Sequence, residues 1–158
     1  MSFVAQNLGA ILARIEAARK AAIKPAPAIT LVAVTKSHGA ERIRPALEAG
    51  HRVFGENRVQ EAKGKWPALK QDFPGVELHL IGPLQTNKAR EAVELFDAIH
   101  TLDRAKLADV LKSESERAGR APTLFIQVNT GEEPQKAGVA PHELETLVFH
   151  CRAIGLPV

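Results

Sequence analysis

The sequence predicts an α/β fold on a parallel sheet, the class in which strand and helix alternate along the chain. Two observations carry this. Short apolar runs anchored at Leu31, Val53, Leu78, Ile99 and Leu124 recur every 21 to 25 residues. Between them, apolar residues return at the spacing of one helix face. Parallel neighbours need a crossover of a dozen or more residues, and each interval supplies one.

The elements follow in order. Leu8, Ile11, Leu12, Ile15, Ala18 and Ala22 form one stripe of a leading helix, which Pro25 and Pro27 end. Ile29 to Val34 is too short for a helix and rich in β-branched residues, so it reads as a buried strand. Ile43 and Leu47 mark a helix closed by Gly50. Arg52 to Phe54 is a strand, and Arg58 to Leu69 is a helix stopped by Phe73-Pro74-Gly75. Glu77 to Ile81 is a strand, Asn87 to Leu95 a helix, and Ala98 to Leu102 a strand. Asp103 suits the cap of a helix with Leu107, Val110 and Leu111 on its apolar face, ended by Gly119. Thr123 to Asn129 is the fifth strand. Pro141 suits the first turn of a last helix carrying Leu144, Leu147, Val148 and Cys151, with Gly155 at its end.

Two architectures fit this alternation: an open doubly wound sheet and a (β/α)8 barrel. No G-x-G-x-x-G follows the first strand, which counts against a dinucleotide-binding version of the open sheet. A barrel takes about 250 residues. The 158 residues here supply five βα units and the leading helix, so a barrel reading makes 1–158 the N-terminal part of one domain.

Composition narrows the function. With 45% hydrophobic and 25% charged residues, the chain is neither a disordered tail nor a fibre. The net charge of +3 is dispersed, which argues against a nucleic-acid binder. No apolar run is long enough for a membrane span. Gln6, Asn7, Arg14, Glu16, Arg19 and Lys20 interrupt the start, so it lacks a signal-peptide core, and a cytoplasmic location is expected. The single Cys151 allows no intrachain disulfide, and the histidines show no metal-ligand spacing. No metal site is expected.

In either parallel architecture the chemistry sits at the carboxyl ends of the strands. Lys36 follows the first strand at once. An ammonium at the mouth of a buried strand is partly desolvated, which lowers its pKa and frees an amine for Schiff-base chemistry. The same position also suits a solvated loop lysine. Asn57 follows the second strand, and the amides Gln85, Asn87 and Asn129 stand near later strand ends, placed either to hold a ligand or to satisfy loop backbone. His79, inside the third strand, is either a cofactor neighbour or a core histidine. Lys63, Lys65, Lys88 and Arg90 read as solvated faces, and Trp66 as helix packing.

Several motifs are specific. Val32-Ala33-Val34-Thr35-Lys36, the run from Phe54-Gly55-Glu56-Asn57-Arg58 to Ala62, and the run from His79 to Lys88 come in this order. Asp97 to Asp103, Gln127-Val128-Asn129-Thr130 and Lys136-Ala137-Gly138 follow. Together they resemble the YggS/PROSC family of pyridoxal-phosphate-binding homeostasis proteins, from about residue 3 to the end of the chain. The resemblance implies a barrel like the N-terminal domain of alanine racemase. It implies pyridoxal 5'-phosphate bound as an aldimine on Lys36, with Asn57 and His79 near the cofactor and no assigned catalytic residue. Members of that family are thought to buffer the cofactor or deliver it to pyridoxal-phosphate-dependent apo-enzymes. They also continue for several βα units past a point like Val158, into the loops that hold the cofactor phosphate, so the resemblance implies a barrel truncated at its C-terminal end.

Two other activities are open. A pyridoxal-phosphate-dependent amino-acid racemase would use the same lysine but needs an acid/base group on each face of its substrate. The chain has no tyrosine to serve as one, as it does in two-domain alanine racemases. A cofactor-free Schiff-base lyase would use Lys36 alone.

Overall fold

A computed structural model describes residues 2–158. Strands β1 (Ala33–Val34), β2 (Val53–Glu56), β3 (Glu77–Leu80), β4 (Ala98–Leu102) and β5 (Thr123–Ile126) form one parallel sheet, in the order in which the chain makes them. Such an order contains no reversal. Right-handed crossovers then send each connecting helix to the same face. A doubly wound sheet reverses its order at a switch point, so this sheet is instead a five-strand arc of a barrel.

The helices are α1 (Phe3–Ala21), α2 (Ala40–Glu48), α3 (Val59–Lys63), α4 (Trp66–Asp72), α5 (Ala89–Leu95), α6 (Ala105–Ala118) and α7 (Leu144–Ala153). Phe54, Leu78, Leu80, Ile99 and Leu124 point from the strands into one apolar cluster. Trp66, Leu69, Val93, Leu107, Leu111 and Leu147 meet them from the helices. Strand side chains alternate between faces. Gly55, His79, His100 and Phe125 therefore lie on the opposite, open face.

Several elements depart from the sequence reading. The first strand is far shorter than Ile29 to Val34: only Ala33 and Val34 pair, and Ile29 is 52% exposed. It is an edge strand with a hydrogen-bonded neighbour on one side only. The single helix expected over Arg58 to Leu69 is two, broken at Gly64 and Lys65. Pro67 stands in the first turn of α4, where its missing N–H is harmless; within a continuous helix it would remove a hydrogen bond and clash with the preceding turn. The fifth strand ends at Ile126, after which Val128 makes an isolated bridge to Val139.

Asp103 does not cap α6. Arg104 holds the cap position without a side-chain bond, while Asp103 accepts from the Gly138 N–H at 3.2 Å. Gly119 ends α6 as expected, at a left-handed φ of 63°. The leading helix packs beside α2, but of its predicted stripe only Leu8 reaches the core cluster; Ile11 and Leu12 stay exposed. Among the described residues no helix is long and apolar enough to cross a membrane.

Candidate functional site

Strand register decides which rim residues share a side. Val34 pairs with Gly55, and Gly55 with His79. Two residues further along, Lys36 and Asn57 stand at one level, with His79 one step below. The Thr35 hydroxyl donates to Glu56 Oε1 at 2.5 Å, and Glu56 is fully buried among the helices. Lys36 and Asn57 are the next residues along, just past the ends of β1 and β2.

Lys36 sits in a turn closed by the His38 N–H donating to the Thr35 carbonyl at 3.2 Å. Ser37 in that turn has φ 62°, a left-handed conformation uncommon outside glycine. The Lys36 side chain is exposed, which corrects the expected partial desolvation. Lys36 follows β1, which among the described residues has a hydrogen-bonded neighbour on one side.

Behind the turn lies a polar cluster. Lys65 Nζ donates to the carbonyls of Thr35 at 2.9 Å and His38 at 2.8 Å. It also pairs with Glu61 Oε1 at 2.9 Å and Glu56 Oε1 at 2.8 Å. Glu61 Oε1 accepts the Ser37 N–H at 2.6 Å, and Trp66 Nε1 donates to Glu56 Oε1 at 2.9 Å. The Lys65 side chain is only 8% exposed, so it is not the solvated lysine expected from sequence. The hydrogen bond from Lys65, with help from the Ser37 N–H, holds the Glu61 carboxyl below its ordinary range against the opposing effect of burial. Trp66 packs on Phe54, with ring centroids 5.0 Å apart.

His79 is buried and bonded on both nitrogens. Nε2 lies 2.8 Å from Glu77 Oε1, and Nδ1 lies 2.9 Å from His100 Nε2. A carboxylate only accepts, so a neutral His79 carries its hydrogen on Nε2 and accepts at Nδ1 from His100. The His100 ring in turn lies 4.6 Å from the Phe125 ring. Burial, and then the neighbouring His79, lower the His100 pKa. Sequence reading singled out His79 but not its partner. The available signal was that His100 lies in the middle of the predicted strand Ala98 to Leu102.

Asn57 is half-buried at the edge of a cleft of about 350 Å3 between the loops after β2 and β3, lined also by Arg58, Gln85 and Lys88. Gly82 presses against it: a Cβ there would meet the Asn57 carbonyl carbon and Cα at 2.7 Å. Asn129 serves its own loop, donating to the Glu133 carbonyl at 2.8 Å and accepting the Glu133 N–H at 3.3 Å. Among the described residues no group of three or more His, Cys, Asp or Glu is arranged to hold a metal ion.

An in-order parallel arc with a lysine-bearing turn after its first strand defines a class of protein. Residues 6–157 match the family model described as alanine racemase, N-terminal domain, and the chain belongs to that family. Within it, the similarity is to pyridoxal phosphate homeostasis proteins. The one from Vibrio cholerae serotype O1 is 41% identical over 151 residues, covering 93% of this chain and 63% of that protein. PipY, the COG0325 family member of Synechococcus elongatus PCC7942, has been solved with PLP bound. It superposes with a TM-score of 0.70 at 44% identity, covering 85% of this chain and 62% of that one. A protein from Bifidobacterium adolescentis superposes with a TM-score of 0.84 at 28% identity, covering 96% of this chain and 64% of that one. The chain thus spans 63% of the length of the Vibrio relative.

Proposed function

We propose that this chain binds pyridoxal 5'-phosphate through the amine of Lys36, with Asn57 and His79 beside it, and that it holds the cofactor for delivery to apo-enzymes. The observation that carries this reading is Lys36 itself. Its amine is exposed at the carboxyl rim and makes no ion pair or hydrogen bond among the described residues, on a turn whose backbone is held from behind. The residues fit an aldehyde-bearing ligand: an available amine, an amide at the same level and a ring one step below. PLP bound to PipY and the name of the Vibrio relative support the choice of cofactor. Pyridoxal phosphate, when bound, would supply an electrophilic aldehyde, and Lys36 would supply the amine that holds it.

Holding is favoured over turnover by the open face. Glu77, His79 and His100 are bonded to one another instead of being disposed on two sides of a ligand. Racemisation needs proton transfer on both faces of a substrate, and these three groups, tied together on one face, are not arranged as such a pair. In this reading His79 serves as a fixed wall beside the cofactor, its ring orientation set by Glu77 and His100.

The test is borohydride reduction in the presence of pyridoxal phosphate, followed by intact mass and peptide mapping. One phosphopyridoxyl group on Lys36 is the expected result, with Lys36→Ala losing it at that peptide while keeping its far-UV circular dichroism. A parental adduct that maps to other lysines and spares Lys36 overturns the assignment. Delivery is read separately, as activity returned to a pyridoxal-phosphate-dependent apo-enzyme by the loaded chain.

A further inference from the structure

We propose that Glu61, Lys65 and Glu56 are positioning residues for Lys36, clamping the Thr35–His38 turn from behind so that its lysine is presented at the rim. The inference rests on the reading of Lys36 as the cofactor's attachment point. It assigns a role to residues that would not touch the cofactor.

The turn has few bonds of its own. Its backbone groups are met instead by side chains 24 to 30 residues further along the chain. Lys65 Nζ reaches the carbonyls of both Thr35 and His38, the first and last residues of the turn, and so spans it. Glu61 takes the Ser37 N–H at its middle. Glu56 takes the Thr35 hydroxyl at its base and is itself held by Trp66 Nε1. Ser37 meanwhile keeps a left-handed φ of 62°, which a non-glycine residue retains only where its surroundings impose it.

The placement of Lys65 points the same way. It occupies the cap position of α4, where a cation faces the positive end of the helix dipole and gives the helix nothing. Its ammonium has three hydrogens and four acceptors within 2.9 Å, two of them turn carbonyls. The result is a turn fixed at its base, middle and far end while the Lys36 side chain stays unengaged.

Lys65→Met is the obvious variant, but it leaves Glu56 buried without its cation and endangers folding. Glu61→Leu is the better test, because Glu61 is partly exposed on a surface helix, and Glu61→Gln is its conservative counterpart, keeping an oxygen for the Ser37 N–H. Two quantities are measured: amide hydrogen exchange at Ser37, and the yield of phosphopyridoxyl Lys36 relative to the other lysines after borohydride reduction. Loss of a hydrogen bond to a charged group changes an equilibrium by more than about tenfold. Glu61→Leu is expected to speed Ser37 exchange and to lower the Lys36 preference by about that factor, with Trp66 fluorescence and circular dichroism unchanged. Glu61→Gln is expected to restore most of both.

Unchanged exchange in Glu61→Leu overturns the clamp. Faster exchange with an unchanged Lys36 preference also overturns it, since the order of the turn would then be structural only. Either result with a normal parental adduct leaves the cofactor reading standing. Absence of a Lys36 adduct in the parental chain overturns that reading, and the positioning role falls with it.

Discussion

Trp66 Nε1 donates to Glu56 Oε1 at 2.9 Å, joining the largest fully buried side chain to a carboxylate wholly removed from solvent. A buried charge must be paired and hydrogen-bonded to be tolerated, and the other oxygen of Glu56 is buried without a partner among the described residues. The indole is therefore more than packing. Trp66→Phe removes the donor and part of the ring, and is expected to cost about 2–4 kcal/mol of stability. Urea unfolding followed by circular dichroism measures it; a loss under about 0.5 kcal/mol would show that the bond contributes nothing net.

Gly82 and Asn57 are in close backbone contact. A methyl group at Gly82 has no flexible side chain to displace, only the Asn57 backbone at 2.7 Å. Gly82→Ala is expected to destabilise the chain by roughly 1–3 kcal/mol. It should also shift the Asn57 amide resonances in a nitrogen–proton NMR spectrum. Unmoved Asn57 resonances would mean that the two loops part without strain.

His100 links the open face to pH. Its pKa in the folded chain is lowered from 6.5, first by burial and then by His79. The unfolded chain therefore takes up this proton first. The stability contribution is full above pH 6.5 and is lost as pH falls from there through the lowered folded value. The His79 ring, bonded to Glu77 through its Nε2, presents Nδ1 to the His100 imidazole, and the Phe125 ring faces it as well. His100→Gln should flatten the decline of the urea midpoint as pH falls below 6.5. An equally steep decline in the variant would place the titrating group elsewhere.

Cys151 is fully buried on α7, and burial pushes its thiol pKa up. A thiol reacts as its thiolate. A disulfide reagent such as Ellman's should leave the folded chain unmodified at mildly alkaline pH and modify one thiol after denaturation. Prompt reaction of the folded chain would mean that α7 is not docked on the core.

Much of the fold is legible in the sequence. The recurrence from Leu31 to Leu124 is a property of the chain alone, and it marks five parallel strands because each interval is long enough for a crossover helix. The rim residues followed from the same reading, since a strand's end is marked where its apolar run stops. Lys36 was found that way, although its exposure was not. Periodicity does not say whether a strand is central or at an edge. Pro67 was a legible break in the helix that apolar spacing alone passed over.

The clusters behind and below the rim were out of reach of sequence reading for one physical reason. A helix or strand pattern reports which face of its own element is apolar, and nothing about which residue of another element lies opposite. Lys65 looked like any surface lysine until crossover and register brought it under a turn 30 residues upstream. His79 and His100 are 21 residues apart and meet because adjacent strands align them. Local residue order was enough to specify five strands, their helices and a lysine at the rim. Which polar side chains hold that lysine's turn, and which ring orients His79, depended on strand register and helix placement, because hydrogen bonds form only at distances that the assembled sheet creates.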